Sequence, residues 1–177
     1  MKKTVLLYGL LAGIISSIGF FLMDSNMDFD KGMIYGFSSM IIAYSLIFVA
    51  IKTYRDKHSG GVITFGKAFK IGFFIALIAS SIYVFAWLFS LNYLFPDFPE
   101  KYSAYCIAQL QAEGATPAEI TAKINKMNEF KKSYKNPIVV ILYTYMEILP
   151  IGVIVALITA AFLKRKQTLN QPKVWQE

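Results

Sequence analysis

The sequence predicts an all-α integral membrane protein: a bundle of four transmembrane helices, with a two-helix hairpin inserted between the third and the fourth. Three observations carry this. Hydrophobic residues make up 56% of the 177 and the mean hydropathy is +0.49, while charged residues are only 16%, against roughly 25% in a soluble domain. Four segments have the length of about 20 mostly apolar residues that a spanning helix needs. None of them alternates with period two, which disfavours a β-barrel. The length has room for one membrane domain, residues 1–166, followed by a short tail, 167–177.

The first span, residues 4–23, is uncharged. Lys2 and Lys3 ahead of it resemble the start of a secretory signal, but the apolar stretch exceeds a typical signal core and no A-x-A-like site follows. It is therefore expected to be retained. In lipid, helices associate by close packing, so small residues four apart mark contact faces. Gly9 and Gly13 form such a pair here, and Gly32 and Gly36 form one in the second span, residues 33–51. Between these spans, Asp24-Ser25-Asn26-Met27-Asp28-Phe29-Asp30 opens like a calcium loop. The pattern then fails, with Phe29 where glycine is required and Tyr35 where glutamate is required. No metal site is expected.

The third span, residues 71–95, follows Gly60-Gly61, which permits a tight turn, and Thr64, a helix-capping residue. Lys67 and Lys70 are placed to reach anionic headgroups while Phe65 and Phe69 dip into the bilayer. The segment is not a phosphate loop, because the spacing and the Ser or Thr after the lysine are missing. Ala68, Gly72, Ala76 and Ser80 make one small-residue stripe. Residues 96–136 are the soluble piece. Thr116-Pro117-Ala118-Glu119 is a capping box with proline at the first helical position. Ile120, Ile124, Met127 and Tyr134 give the helix behind it an apolar face. A second helix is expected from about Glu100 to Gln111, ending near Gly114. Too short for a core of its own, this pair is expected to lie over the mouth of the bundle. The fourth span, Pro137–Leu163, holds Gly152, Ala156 and Ala160 on one face. Lys164, Arg165 and Lys166 then stop it at a headgroup layer.

The net charge of +7 resembles a nucleic-acid signature until the charges are placed. With the N-terminus cytoplasmic, the inner side carries eleven basic residues against two acids, and the outer side seven against eight. That bias fits the positive-inside rule with both termini in the cytoplasm. The expected partner is the lipid bilayer, with no nucleic acid.

Four stretches together carry a resemblance: Tyr8-Gly9, Ile51-Lys52-Thr53-Tyr54-Arg55-Asp56, Gly60-Gly61-Val62-Ile63-Thr64-Phe65-Gly66-Lys67-Ala68-Phe69, and Glu147-Ile148-Leu149-Pro150-Ile151-Gly152. They resemble the bacterial membrane proteins grouped as domain of unknown function 4199, over most of the chain to about Lys166. The resemblance implies a four-span inner-membrane protein, mostly of Bacteroidetes-type bacteria, with no assigned activity.

Glu147 is the one ionisable residue at membrane depth, ten residues into its span and so about 15 Å along it. A lone charge there costs at least ~2.5 kcal/mol, which makes such residues functional candidates by default. It must be protonated and hydrogen-bonded, or ionised beside a bound cation or water. Tyr44, Ser45, Ser16, Ser17, Ser81 and Tyr83 are expected within about two turns of its level, with Tyr143 one turn away on the same helix. Pro150, three residues on, removes a backbone hydrogen bond. A proton or cation site and a neutral carboxyl tying two helices together are both open.

The single cysteine, Cys106, and single histidine, His58, exclude an internal disulfide and a Cys–His metal cluster. No Ser–His, HExxH or paired-aspartate arrangement lies at membrane depth. The chain is expected not to be an enzyme and to use no cofactor. The first functional expectation is an accessory or interaction protein, meeting a second copy or another membrane protein through residues 96–136. The alternative is an oligomeric proton- or cation-coupled transporter subunit using Glu147.

Overall fold

In a computed structural model, residues 1–22 and 28–165 are described, and they form six helices. These are α1 (Lys2–Leu22), α2 (Phe29–His58), α3 (Phe65–Tyr93), α4 (Phe98–Ala112), α5 (Pro117–Tyr134) and α6 (Pro137–Leu163). Among the described residues there is no strand, only an isolated bridge in which the Arg165 amide donates to the Ile63 carbonyl at 2.9 Å. Four helices, α1, α2, α3 and α6, are long and apolar enough to cross a membrane.

Local chemistry sets the helix ends. Asp28 caps α2 by accepting from the Lys31 amide at 3.1 Å, and Thr64 caps α3 by accepting from the Lys67 amide at 3.4 Å. The capping box at Thr116 is formed in both directions, with Glu119 Oε2 accepting from the Thr116 amide at 2.8 Å. Gly60 and Gly61 turn the chain between α2 and α3 with φ of 59° and 77°, values that side chains resist. α2 overruns its apolar span at both ends and α3 at its start, because helical backbone continues through the turns that flank an apolar stretch, while α3 stops at Tyr93, before the expected Phe95.

The four long helices run alternately up and down, and α3 packs extensively against both α1 and α6. A β-carbon on Gly9 would lie 2.9 Å from Ile78 Cβ, and one on Gly13 would lie 2.6 Å from Ile82 Cδ1. These glycines therefore let α1 close onto α3. Across α3 and α6 the contact is reciprocal. A β-carbon on Gly72 would come within 2.7 Å of Ala156 Cβ, and one on Gly152 within 2.7 Å of Ala76 Cβ. One turn further along the same rows, the Tyr44 hydroxyl donates to the Ile148 carbonyl at 3.0 Å and meets Ser80 Oγ at 3.3 Å. α1 meets α2 where Gly19 faces the Gly36 backbone at 3.5 Å, beside a bond from Ser39 Oγ to the Ser16 carbonyl at 3.2 Å. Gly36 takes part in this contact through its backbone. A β-carbon there would meet nothing within 4 Å, because its α-hydrogen side turns to open space and only its backbone touches α1.

Candidate functional site

A cavity of about 430 Å³ opens at the end of the bundle where α4 and α5 sit, and all six helices contribute to its wall. Its upper part is aromatic. Phe20 of α1 packs on Tyr83 and Trp87 of α3, with ring centroids 4.7 and 5.0 Å apart. Trp87 meets Phe98 of α4 edge-on at 4.8 Å. Phe98 stacks on Tyr102 at 5.6 Å, and Tyr102 reaches Phe130 of α5 at 5.6 Å. Phe130 and Tyr134 lie 4.2 Å apart, which closes the ring of contacts back to Phe98 at 6.0 Å. Such tilted and edge-on pairs are each worth about 0.5–1.5 kcal/mol beyond their burial, so α4 and α5 are seated on the bundle by a continuous aromatic network.

Phe29, at the start of α2, completes the seat by touching Phe98, Tyr102 and Tyr105. Tyr105 donates to Asp30 Oδ1 at 2.5 Å, and Gln109 Nε2 donates to the Tyr105 hydroxyl at 3.0 Å. The bond to Asp30 pushes the Tyr105 phenol up to about 12. Burial pushes Tyr134 up to about 12 as well, against a hydrogen bond from Trp87 that favours its ionised form. Cys106 faces the same cavity from α4.

Glu147 of α6 also lines this cavity, and among the described lining residues it is the one charged group. It is exposed at the wall, and no hydrogen bond or ion pair engages it among the described residues. Of the hydroxyls expected at its level, only Tyr83 and Ser16 share the cavity, together with Thr144, which the sequence reading did not single out. Ser16 donates to the Gly13 carbonyl at 3.0 Å and Thr144 to the Val140 carbonyl at 2.8 Å, so both are turned back onto their own helices. Tyr44 is used by α6 packing instead. Ser81 donates to Leu77 and accepts from Tyr145 at 2.8 Å. Tyr143 is half exposed and Pro150 is exposed, and neither lines the cavity. The expected ring of hydroxyls is thus replaced by a ring of aromatic faces.

The structure separates the remaining expected residues from this site. Gly32 and Gly36 line the cavity, and Gly36 also meets α1 through its backbone. Lys67 and Lys70 are exposed at the opposite end, the Lys67 amine 5.2 Å from the Tyr54 ring centroid. Lys164 and Arg165 are exposed there too, and Lys166 lies outside the described residues. Of the loop that opened like a calcium site, Asp24, Ser25, Asn26 and Met27 lie outside the described residues. Asp28 is engaged by Lys31 at 3.0 Å and Asp30 by Tyr105. His58 packs at a tilt against Tyr54, ring centroids 5.5 Å apart, and does not line the cavity.

The profile of a family described as protein of unknown function (DUF4199) matches residues 7–165, nearly the whole chain. The chain belongs to this family. The match spans every helix that lines the cavity, and it begins just before Gly9 and ends at Arg165 of the bridge to Ile63. Neither a curated protein nor a solved structure matches the chain.

Proposed function

We propose that this DUF4199 protein is a multi-pass protein of the bacterial inner membrane that binds a small molecule in the cavity between its spans. It is non-enzymatic, and it binds through shape and a single carboxylate. Both termini lie in the cytoplasm, and α4 and α5 form an extracytoplasmic hairpin that roofs the site. The charge asymmetry supports the orientation, since eleven of the basic residues fall on the terminal side. One observation carries the function: a cavity of about 430 Å³ is walled by all six helices and has Glu147 as its charged group. Binding sites of about 300–1,000 Å³ with apolar walls and few polar groups are where ligands of drug size sit.

Gly36 provides the test, because it lines the cavity and a β-carbon there meets nothing within 4 Å. Hydrophobic compounds of neutral, anionic and cationic type would be screened by thermal stabilisation of the full chain in nanodiscs. At least one class should stabilise the wild type and fail to stabilise Gly36→Phe. Stabilisation of neither, or of both equally, would contradict the reading.

A second reading is an accessory protein that meets a second copy or another membrane protein through residues 96–136. It is favoured by α5, none of whose residues is buried. A photo-crosslinker on the exposed side of α5, at Lys126, should then trap a protein of defined mass in intact cells. Only lipid adducts would sink it.

A further inference from the structure

We propose that the ligand of this cavity is a lipophilic organic cation, a protonated amine or a quaternary onium whose charge sits at Glu147 and whose body lies among the aromatic rings. This rests on the cavity being a binding site, and it names the chemical class.

Charge sign comes first. The described lining residues include a carboxylate and not one lysine, arginine or histidine. An anion would meet repulsion there and no compensating donor of charge. A neutral ligand would leave an ionised Glu147 facing an apolar body at membrane depth, which low polarity penalises.

The walls then separate an organic cation from a small hard ion. Hard cations replace their water shell with several converging oxygen atoms. Here Glu147 is the one carboxylate among the described lining residues, and the rest of the wall is mainly aromatic ring and thioether. Aromatic faces are what a weakly hydrated onium group prefers, tryptophan above the others. Trp87, Tyr83, Phe20, Tyr102 and Tyr134 present rings to the cavity from four different helices.

The way in agrees with a lipophilic ligand. A second hollow of about 250 Å³ lies between α2 and α6, lined by Ile41, Ile151 and Val155 and almost wholly apolar. It shares Phe37 and Met40 with the main cavity. These two helices pack more sparingly against each other than α3 does against α1 or α6. The shared methionine is an unbranched, adaptable side chain. A cation dissolved in the bilayer therefore meets an apolar groove that borders the main cavity at Phe37 and Met40.

Tetraphenylphosphonium and tetraphenylborate are near-identical in shape and opposite in charge, and they make the probe pair. Binding would be followed in nanodiscs by quenching of Trp87 in a Trp175→Phe background, with empty nanodiscs subtracted to remove lipid partitioning. Tetraphenylphosphonium should bind at least tenfold tighter than tetraphenylborate. Glu147→Gln should weaken the phosphonium tenfold or more, with Glu147→Asp restoring part of the loss, and should not weaken the borate. Both ions binding alike, and both lost in Gly36→Phe, would overturn the cation assignment and leave the binding cavity standing. Neither ion binding, or binding indifferent to Gly36→Phe, would overturn the cation assignment together with this use of the cavity.

Discussion

Tyr105 of α4 donates its phenolic proton to the carboxylate of Asp30 on α2, with 2.5 Å between the oxygens. The two residues lie 75 positions apart in sequence, and their bond fastens the roof of the cavity to the start of a long helix. Tyr105→Phe keeps the ring contact to Phe29 and deletes the latch. Amide exchange in α4 should then accelerate while that in α3 and α6 stays unchanged. Equal exchange in wild type and variant would mean that the aromatic seat alone holds the roof.

The same bond sets an alkaline limit. The Tyr105 phenol is raised from 10.0 to about 12 in the folded chain by its bond to Asp30. A raised pKa contributes stability that is complete below the unfolded value of 10 and is lost as pH climbs through about 12. α4 should therefore loosen between about pH 10 and 12, and Tyr105→Phe, already loosened, should lack that pH-dependent step. The check is α4 protection across that range.

Acid acts at the other roof helix. Hydrogen bonds from the Thr116 amide and hydroxyl hold the Glu119 carboxyl below its ordinary value of 4.5. A depressed pKa gives stability that is present above about 4.5 and disappears as pH falls through the lowered value. The first turn of α5 should fray in that window, as seen in the amide signals of residues 118–120. Thr116→Ala should fray it already at neutral pH.

Helix packing gives a contrast between two kinds of glycine. Gly72→Ala and Gly152→Ala drive a methyl to 2.7 Å from Ala156 and Ala76, both held by backbone, and should each cost about 1–3 kcal/mol of unfolding free energy. Gly36→Ala meets no atom within 4 Å and should be neutral or gain about 0.5–1 kcal/mol from helix propensity. Tyr44→Phe, which loses the bond to the Ile148 carbonyl, should cost about 0.6 kcal/mol and no more than about 1.7. Denaturation in mixed micelles ranks all four.

Much of this architecture is legible in sequence because lipid permits few solutions. The bounds of α6 coincide with the apolar stretch Pro137–Leu163, since Asn136 caps one end and Lys164 begins the basic run at the other. The close approaches of Gly9, Gly13, Gly72 and Gly152 follow from their spacing. Gly19 carries no spacing signal, because the residue four before it is Ile15 rather than a small one. The surroundings of Glu147 are the larger surprise. Counting depth put hydroxyls around it, but depth says nothing about which way a side chain turns about its helix, and most of those hydroxyls bond to their own backbone. The roof was legible in part, since Tyr134 on the periodic face does dock. Ile124, on the face that periodicity marks as apolar, is 39% exposed, while Phe98, Tyr102 and Phe130 do the docking. Their partners Trp87 and Phe29 are distant in the chain.

Whether position 147 faces a water-filled cavity beneath α4 and α5 can be read directly. In a Cys106→Ser background, Glu147→Cys and, as a buried control, Ile75→Cys would be treated with a charged, water-soluble thiol reagent in sealed vesicles of known orientation. A cavity roofed from outside requires Glu147→Cys to react from the extracytoplasmic face, to be protected by tetraphenylphosphonium, and Ile75→Cys to stay unmodified. An unreactive Glu147→Cys, or one that reacts only from the cytoplasmic face, would contradict the site and its orientation together.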